Sequence, residues 1–380
     1  MQPIRILVLG FALIGTLYYI ASMLALLSFS RRSRARQDSS SGRWKITVLK
    51  PICGLDRDGR ENLSSFVYQD YDDFEVRLGF LDSDDPAIEA ARLAAEGSGN
   101  AIVRHGSRIE GSNNKVRILD NLARDSQGDL VVIADSDVRV TPDFLSRISA
   151  PFSDPTVGVV TCLYRGIKAD GIADALEGLY MTCDFAPGVA CSAVLGEIDF
   201  SLGAATAIRS EALAAFGGFP SLVDYIADDF QLGKKAVGAG YKVVLSDYVV
   251  DIVLSAAGIK EVAARELRWS RTIRISQPLG HLGLIFTYGF PFAVLACLIS
   301  PTSTLSWATL LISLIVRGCT AFVGAGKCLG DKEFPRRISL LPIRDLMSFG
   351  VWIASYFSRS VIWRGRRLRL LSDGKMVLDD

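Results

Sequence analysis

The run from Ile6 to Phe29 carries no charged residue. At 1.5 Å per helical residue it is long enough to cross a hydrocarbon core of about 30 Å, where an open chain must satisfy its own backbone as a helix. A membrane helix is therefore the first expectation. A cleaved leader is the competing one, but the run is longer than the usual apolar region of a leader, and its main basic cluster follows it. Arg31, Arg32, Arg34 and Arg36 stand after the run, against Arg5 before it. The positive-inside bias then puts the following polypeptide in the cytosol and the N-terminus outside. An integral membrane protein is expected, in the inner membrane if the cell is bacterial.

Two more apolar runs, His281 to Ile299 and Thr304 to Val323, flank Ser300-Pro301-Thr302-Ser303, whose proline and small polar residues predict a tight turn and so a transmembrane hairpin. Arg317 lies inside the second arm, where a lipid-facing guanidinium costs on the order of 3 kcal/mol, so it must snorkel or face protein. The zone from Ile338 to Ile362 has Lys327, Lys332, Arg336 and Arg337 before it and Arg364, Arg366, Arg367 and Arg369 after it. Basic residues on both sides disfavour a simple crossing. With Arg344, Asp345 and Arg359 inside the zone, an interfacial or re-entrant piece is expected. The expected layout is an anchor over 1–30, a basic and serine-rich linker over 31–43, a globular domain over 44–277, and a C-terminal membrane region over 278–380 ending in a basic tail.

The globular stretch alternates strand and helix patterns. Trp44 to Leu49 is followed by a helical pattern over Gly59 to Tyr68, then by Phe74 to Phe80, Ala87 to Ala95, Ala101 to Arg104, Val116 to Leu122 and Leu130 to Ala134. This predicts an α/β domain with a mostly parallel sheet, whose ligands bind beyond the carboxyl ends of the strands. No GxGxxG follows the first strand and no GxxxxGK[ST] occurs, which argues against a dinucleotide oxidoreductase and a P-loop NTPase. A formal charge of +1, from 42 basic and 41 acidic residues, does not recommend nucleic acid as a partner. His105 and His281 are the two histidines, and the seven cysteines form no CxxC pair. Any metal must then be held by oxygen.

Asp135-Ser136-Asp137 follows the apolar strand Leu130–Ala134. Two carboxylates there suit Mg²⁺ or Mn²⁺, which accept their other ligands from phosphates and water, although an aspartate-rich turn is the alternative. Asp82 follows another strand, where a carboxylate can accept bonds from a uracil or ribose, while Asp84 and Asp85 suit a helix cap near Pro86. Lys115 opens a helix, as a donor-binding amine or a solvated lysine. Asp228-Asp229 precedes a helix that ends near Gly238 and Gly240, so one carboxylate either serves as general base or complements the helix dipole. Arg265 and Arg268 share a helix face beside Trp269, and two guanidinium groups so placed hold a diphosphate or snorkel at a membrane.

In order, Asp82, Asp135/Asp137, Asp229 and Arg265-x-x-Arg268-Trp269 resemble the D, DxD, D, [Q/R]xxRW signature of inverting glycosyltransferases with the GT-A fold. Val48-Leu49-Lys50-Pro51, Asn114-Lys115, Ala134 to Val140 and Ile226-Ala227-Asp228-Asp229 are similar to the ceramide glucosyltransferase family, including bacterial relatives implicated in hopanoid glycosylation. The resemblance implies a Rossmann-like GT-A domain with an N-terminal transmembrane helix and C-terminal transmembrane or interfacial helices. It also implies a UDP-sugar donor, Mn²⁺ or Mg²⁺, and a membrane lipid acceptor, ceramide or a hopanoid. Residue by residue it assigns Asp82, Lys115 and Asp135 to the donor, Asp137 with Asp135 to the metal, and Asp229 to the base. Arg265, Arg268 and Trp269 fall to the diphosphate and acceptor. Asp228 stands where relatives often show Glu. A processive polysaccharide synthase shares the signature but needs a translocation channel, and a non-catalytic sugar-nucleotide scaffold would lack part of this set.

Overall fold

The computed structural model describes residues 2–36, 44–196, 198–255, 258–363 and 365–379; the expected linker from Gln37 to Gly42, and Arg364, lie outside them. The apolar runs of the globular stretch become β1 (Ile46–Pro51), β2 (Phe74–Phe80), β3 (Ala101–His105) and β4 (Leu130–Ala134). These four are parallel, and every residue of β1 and β4 is buried, as unbroken apolar runs in the centre of a two-sided sheet require. Helices Gly59–Val67, Ile88–Ala95 and Asn114–Ala123 make the crossovers.

Beyond β4 the sheet departs from a simple parallel pattern. It adds β5 (Val138–Arg139), β6 (Val157–Ile167), β7 (Ala205–Arg209) and β8 (Lys242–Val253), in the order β3-β2-β1-β4-β7-β6-β8-β5. β7 runs antiparallel to both β4 and β6. The reversal brings the segment before β7 to the carboxyl end of β4, where Asp135 N–H donates to the Ala204 carbonyl at 3.1 Å.

Among the described residues four helices are long and apolar enough to cross a membrane: Gln2–Arg31, Ile172–Leu195, Thr304–Cys328 and Phe334–Ser355. The first continues through the basic cluster to Arg36. The expected first arm of the hairpin is not one straight helix. Pro278–Thr287 meets Gly289–Ile299 at a bend of 58°, and the latter, at 11 residues, rises only about 16 Å.

Two of the long helices are tied to the sheet domain at both ends. Ile172–Leu195 leaves from β6 and returns to β7. Before Phe334–Ser355, Arg165 donates to the carbonyls of Leu329 and Gly330, and Lys168 N–H donates to Glu333. After it, β9 (Ser360–Trp363), β10 (Arg366–Leu370) and β11 (Met376–Leu378) form a second sheet, whose Val361, Leu368, Leu370 and Met376 pack on Ile226. A helix with both ends on one domain lies along that domain's face. Ile338, Ile343, Leu346 and Ile353 point outward from it, while Arg344 and Asp345 are buried. The remaining apolar helices form a protruding bundle in which backbones touch: a Cβ on Gly15 would stand 2.2 Å from Gly289 N. The Tyr19 hydroxyl accepts from Phe290 N–H at 3.0 Å. Small residues at such crossings are what permits close helix packing in lipid.

Arg317 faces protein. Its guanidinium contacts both oxygens of Asp345 at 3.0 and 2.6 Å, Asp184 Oδ1 at 2.5 Å and the Cys183 carbonyl at 2.9 Å, and it lies over the Tyr19 ring. Arg344 makes two bonds to Glu266, at 2.6 and 2.7 Å, and approaches Asp184 at 3.7 Å. Arg317→Met would leave Asp345 buried without its partner, a change that costs about 3–5 kcal/mol in buried pairs. The expected result is a marked fall in the thermal midpoint of the full chain in detergent, with part of the loss restored when Asp345→Leu is added. An unchanged midpoint for Arg317→Met would contradict this assignment.

Candidate active site

The turn after β4 is held from below by a buried lysine. Lys50, at the end of β1 and fully buried, donates to the Asp135 carbonyl at 2.6 Å and stands 3.8 Å from the centre of the Phe66 ring. Burial lowers its pKa to about 7, against the opposing pull of Asp137, Asp135 and Asp56. Burial also pushes the Asp137 carboxyl up to about 7, with repulsion from Asp135 and Asp56 adding to the rise. Several acids thus crowd one turn. Among the described residues no group of three or more His, Cys, Asp or Glu has metal-holding geometry. The pair Asp135 and Asp137 nonetheless fits a hard divalent ion, because Mg²⁺-like sites use one or two carboxylates and take the rest from phosphate and water.

Asn113 caps the Asn114–Ala123 helix, accepting from Val116 N–H at 3.2 Å. Its amide also donates to the Tyr225 carbonyl at 2.8 Å and to Asp228 Oδ1 at 3.1 Å. Lys115 follows, with Nζ 2.6 Å from Asp135 Oδ1 and 3.8 Å from Asp228 Oδ2. Burial disfavours its charge, yet Asp135, Asp228 and Asp229 outweigh that and raise its pKa. One cap residue and one lysine therefore join the end of β4 to the Asp228–Gly238 helix.

The two adjacent acids are placed differently. Asp228 is buried, with both oxygens engaged by Asn113 and Lys115. Asp229 accepts from Phe230 N–H through Oδ1 at 2.8 Å, while Ser201 holds its carbonyl at 2.6 Å. Its Oδ2 faces Gly203: a Cβ added there would lie 2.7 Å from Asp229 Oδ2 and 3.9 Å from Asp135 Oδ2. A side chain at position 203 would therefore displace the Asp229 carboxylate. Burial, then the charge of Asp228, raises the Asp229 carboxyl to about 6.

The helix Ile259–Ser276 brings the arginines. The Arg268 side chain makes no hydrogen bond or ion pair among the described residues. Burial and Arg265 lower its pKa to about 10, while Asp229 and Asp135 act in the opposite sense, so it stays charged near neutrality. Arg265 is turned to Glu177 at 2.8 Å and Ser255 at 3.3 Å. Trp269 stacks on Tyr180 with ring centres 5.7 Å apart. Asp82 stands at the same carboxyl edge after β2, exposed and without a hydrogen bond among the described residues. Its neighbour Asp85 accepts from Gly54 and Ala87 N–H, at 2.8 and 2.9 Å, and so organises the loops there.

The structure thus pairs Lys115 with Asp135, brings Asp229 Oδ2 and Asp135 Oδ2 together at Gly203 with Arg268 in electrostatic reach of both, sets Asp137 under the influence of Lys50 and Asp56, and leaves Arg265 on Glu177. Sequence reading did not find Lys50, Asp56, Asn113, Glu177 or Gly203 as site residues. Asn113 had a usable signal, an asparagine directly before a helical pattern. Gly203 had none, since its role depends on the reversal at β7.

A solved structure of the mannosyltransferase PcManGT from Pyrobaculum calidifontis, in complex with GDP-Man and Mn2+, aligns with this chain at a TM-score of 0.51. It covers 91% of this chain and 99% of its own at 18% identity, and the shared fold is a GT-A-like α/β glycosyltransferase fold. Ceramide glucosyltransferase 3 of Caenorhabditis elegans is 26% identical over 289 residues, which is 74% of this chain and 61% of that protein. Ceramide glucosyltransferase 1 of the same organism is 28% identical over 207 residues, 53% of this chain and 44% of that protein. The chain therefore spans less than two thirds of the length of these curated relatives. Residues 7–376 match the model for Glycosyl transferase family 21, and the chain belongs to that family.

Proposed function

We propose that this chain is an inverting glycosyltransferase that moves a hexosyl residue from a UDP-sugar to a membrane-lipid hydroxyl, acting as a ceramide glucosyltransferase does, with glucose and ceramide as substrates. The observation that carries this reading is the convergence of Asp229 Oδ2 and Asp135 Oδ2 at Gly203, 2.7 and 3.9 Å from the point its Cβ would occupy, with the charge of the Arg268 side chain favoured by both acids.

In this reading Asp229 takes the acceptor hydroxyl proton as that oxygen attacks the anomeric carbon from the face opposite the leaving diphosphate. Its raised pKa makes it a better base than an ordinary aspartate, and Asp228 is too fully engaged by Asn113 and Lys115 to compete. Arg268 binds the diphosphate as negative charge builds on it. Arg265 joins it by exchanging Glu177 for phosphate, and Lys115 contributes a further cation. Asp135 and Asp137 would hold Mn²⁺ or Mg²⁺, which when bound supplies positive charge to the leaving diphosphate. Asp82 receives the uridine, and Trp269 flanks the acceptor.

The same reading places the sheet domain in the cytosol, on the side of the basic cluster that ends the N-terminal helix. Trp269 stacks on a helix that lies along the domain's apolar face, and the chain enters the protruding bundle soon after, at Pro278. A lipid hydroxyl at the headgroup level reaches this site sideways, with little of its acyl chain extracted from the bilayer.

The direct test is incubation of the full chain with a panel of UDP-sugars and lipid acceptors in bilayers, with Mn²⁺ or Mg²⁺ present, followed by mass spectrometry of the lipids. A hexosylated ceramide is expected; no glycolipid with any donor or acceptor would overturn the reading. Asp229→Asn should lower kcat by about 10²–10⁴-fold, the usual contribution of a general base, with UDP-sugar binding nearly intact. If Asp228→Asn were inactive and Asp229→Asn active, the base would be the other carboxylate. The pH profile gives a separate check. Asp229 works deprotonated, and its pKa is raised to about 6. So kcat/KM should rise with pH, levelling above about 6 as the free enzyme's carboxyl ionises. A profile that stayed flat down to about pH 5 would remove Asp229 as the titrating base.

A further inference from the structure

The end of the Ile259–Ser276 helix carries Arg271 and Arg274, and Arg359 stands beside them in the turn after Phe334–Ser355. Arg271 donates to the Ser360 carbonyl at 2.6 Å and Arg274 to the Ser358 carbonyl at 2.9 Å, each through one Nη. The Nε atoms of both are buried and have no hydrogen-bond partner among the described residues. The Arg359 side chain is exposed and makes no hydrogen bond or ion pair among the described residues. Among the described residues no carboxylate forms an ion pair with any of the three. Arg274 lies over the Tyr356 ring, which is a weak counter-charge. Burial and then Arg274 lower the pKa of Arg271, and burial and then Arg359 lower that of Arg274. The helix C-terminus offsets this repulsion with about half an elementary charge at most.

The surroundings of this cationic cluster are apolar and protruding. Leu279 and Phe357 are each 83% exposed and Ile362 is 72% exposed. Leu279 belongs to the short helix that follows Arg274, and Phe357 and Ile362 bracket Arg359 in sequence. An open cleft of about 570 Å³ lies alongside, lined by Arg359, Arg369, Leu370, Leu371, Ser372 and Asp373. Exposed apolar side chains around unpaired guanidiniums match the headgroup boundary of a bilayer. There acyl chains meet the apolar groups and phosphates meet the cations.

We propose that Arg271, Arg274 and Arg359 form a binding site for the phosphate of an anionic lipid headgroup at the foot of the membrane bundle. The planar guanidinium binds phosphate oxygens bidentately and keeps its charge when partly buried. The free donors of Arg274 and Arg359 then supply the headgroup contacts, while Phe357, Ile362 and Leu279 seat the acyl chains. This site depends on the membrane placement of the apolar helices and is independent of the sugar-transfer reading.

The test uses the purified full-length chain in detergent, titrated with phosphatidylglycerol or phosphatidylcholine of the same acyl chains, with bound lipid counted by native mass spectrometry. Phosphatidylglycerol should be retained more tightly. Each arginine removed should weaken it about fivefold, the equivalent of roughly 1 kcal/mol per basic residue near an anionic surface. Arg274→Gln/Arg359→Gln should bring phosphatidylglycerol down toward phosphatidylcholine, and Arg359→Gln alone should show one such step. The single change alters an exposed side chain with no bonds to lose, so its effect does not pass through folding. Millimolar inorganic phosphate should leave the lipid in place. Equal phosphatidylglycerol binding by the wild type and both variants would overturn the proposal. Displacement of the lipid by inorganic phosphate would also overturn it, as the mark of a free-phosphate site.

Discussion

A chain of charges set into the apolar layer fixes where the other parts can sit. Glu266, Arg344, Asp184, Arg317 and Asp345 follow one another through direct contacts, and all but Asp184 are buried. They come from four separate helices, and the Tyr19 ring under Arg317 adds the N-terminal helix as a fifth. Each charge would be costly in lipid or in a dry core without its neighbour, so any helix that slides away leaves a partner stranded. Such a network contributes modest net stability but strong positional constraint. Glu266 lies between Arg265 and Arg268, so the constraint extends to the arginines beside the candidate site.

At the other side of that site the same logic separates two adjacent carboxylates. Asp228 faces inward and is held by Asn113 and Lys115, whereas Asp229 is held by its backbone and by one oxygen, with the other left toward Gly203. Two identical side chains, next to each other in sequence, thus acquire different chemical capacities from their surroundings. The reversal at β7 makes this possible, because it carries Ser201, Gly203 and Ala204 to the end of β4.

Legibility in the sequence followed the range of the interactions involved. β1 to β4 could be read because each is a local apolar run that ends at polar or acidic residues, and DxD because it stands at such an end, whereas Asp229, in the first turn of a helix, is singled out from Asp228 only by the resemblance to the signature. The internal pairing of Arg344 and Asp345 was partly legible, since charges inside an apolar zone flanked by basic residues argue against lipid exposure. Their partners Glu266 and Arg317 are far away in the chain; Arg317 stands out as a charge inside an apolar arm, but nothing local marks which acid it meets, and Glu266 carries no mark at all. Arg366–Leu370 looked like a basic tail, yet the strand buries Leu368 and Leu370 while Arg366, Arg367 and Arg369 stay exposed. Charge masked the strand period. How Ile172–Leu195 lies is set by its two attachments to the domain, at β6 and β7, which no local pattern marks.

The central claim of the proposal is a direct displacement beside Asp229 and Gly203, with one base and no covalent sugar–protein intermediate. The anomeric configuration of the product tests it most directly. Lipid glycosylated from an α-linked UDP-sugar should carry a β-linked hexose, as read from the anomeric proton coupling in the NMR spectrum of the purified glycolipid. An α-linked product would contradict the account, because retention requires either a second displacement or a same-face path that Asp229 acting as a base does not provide.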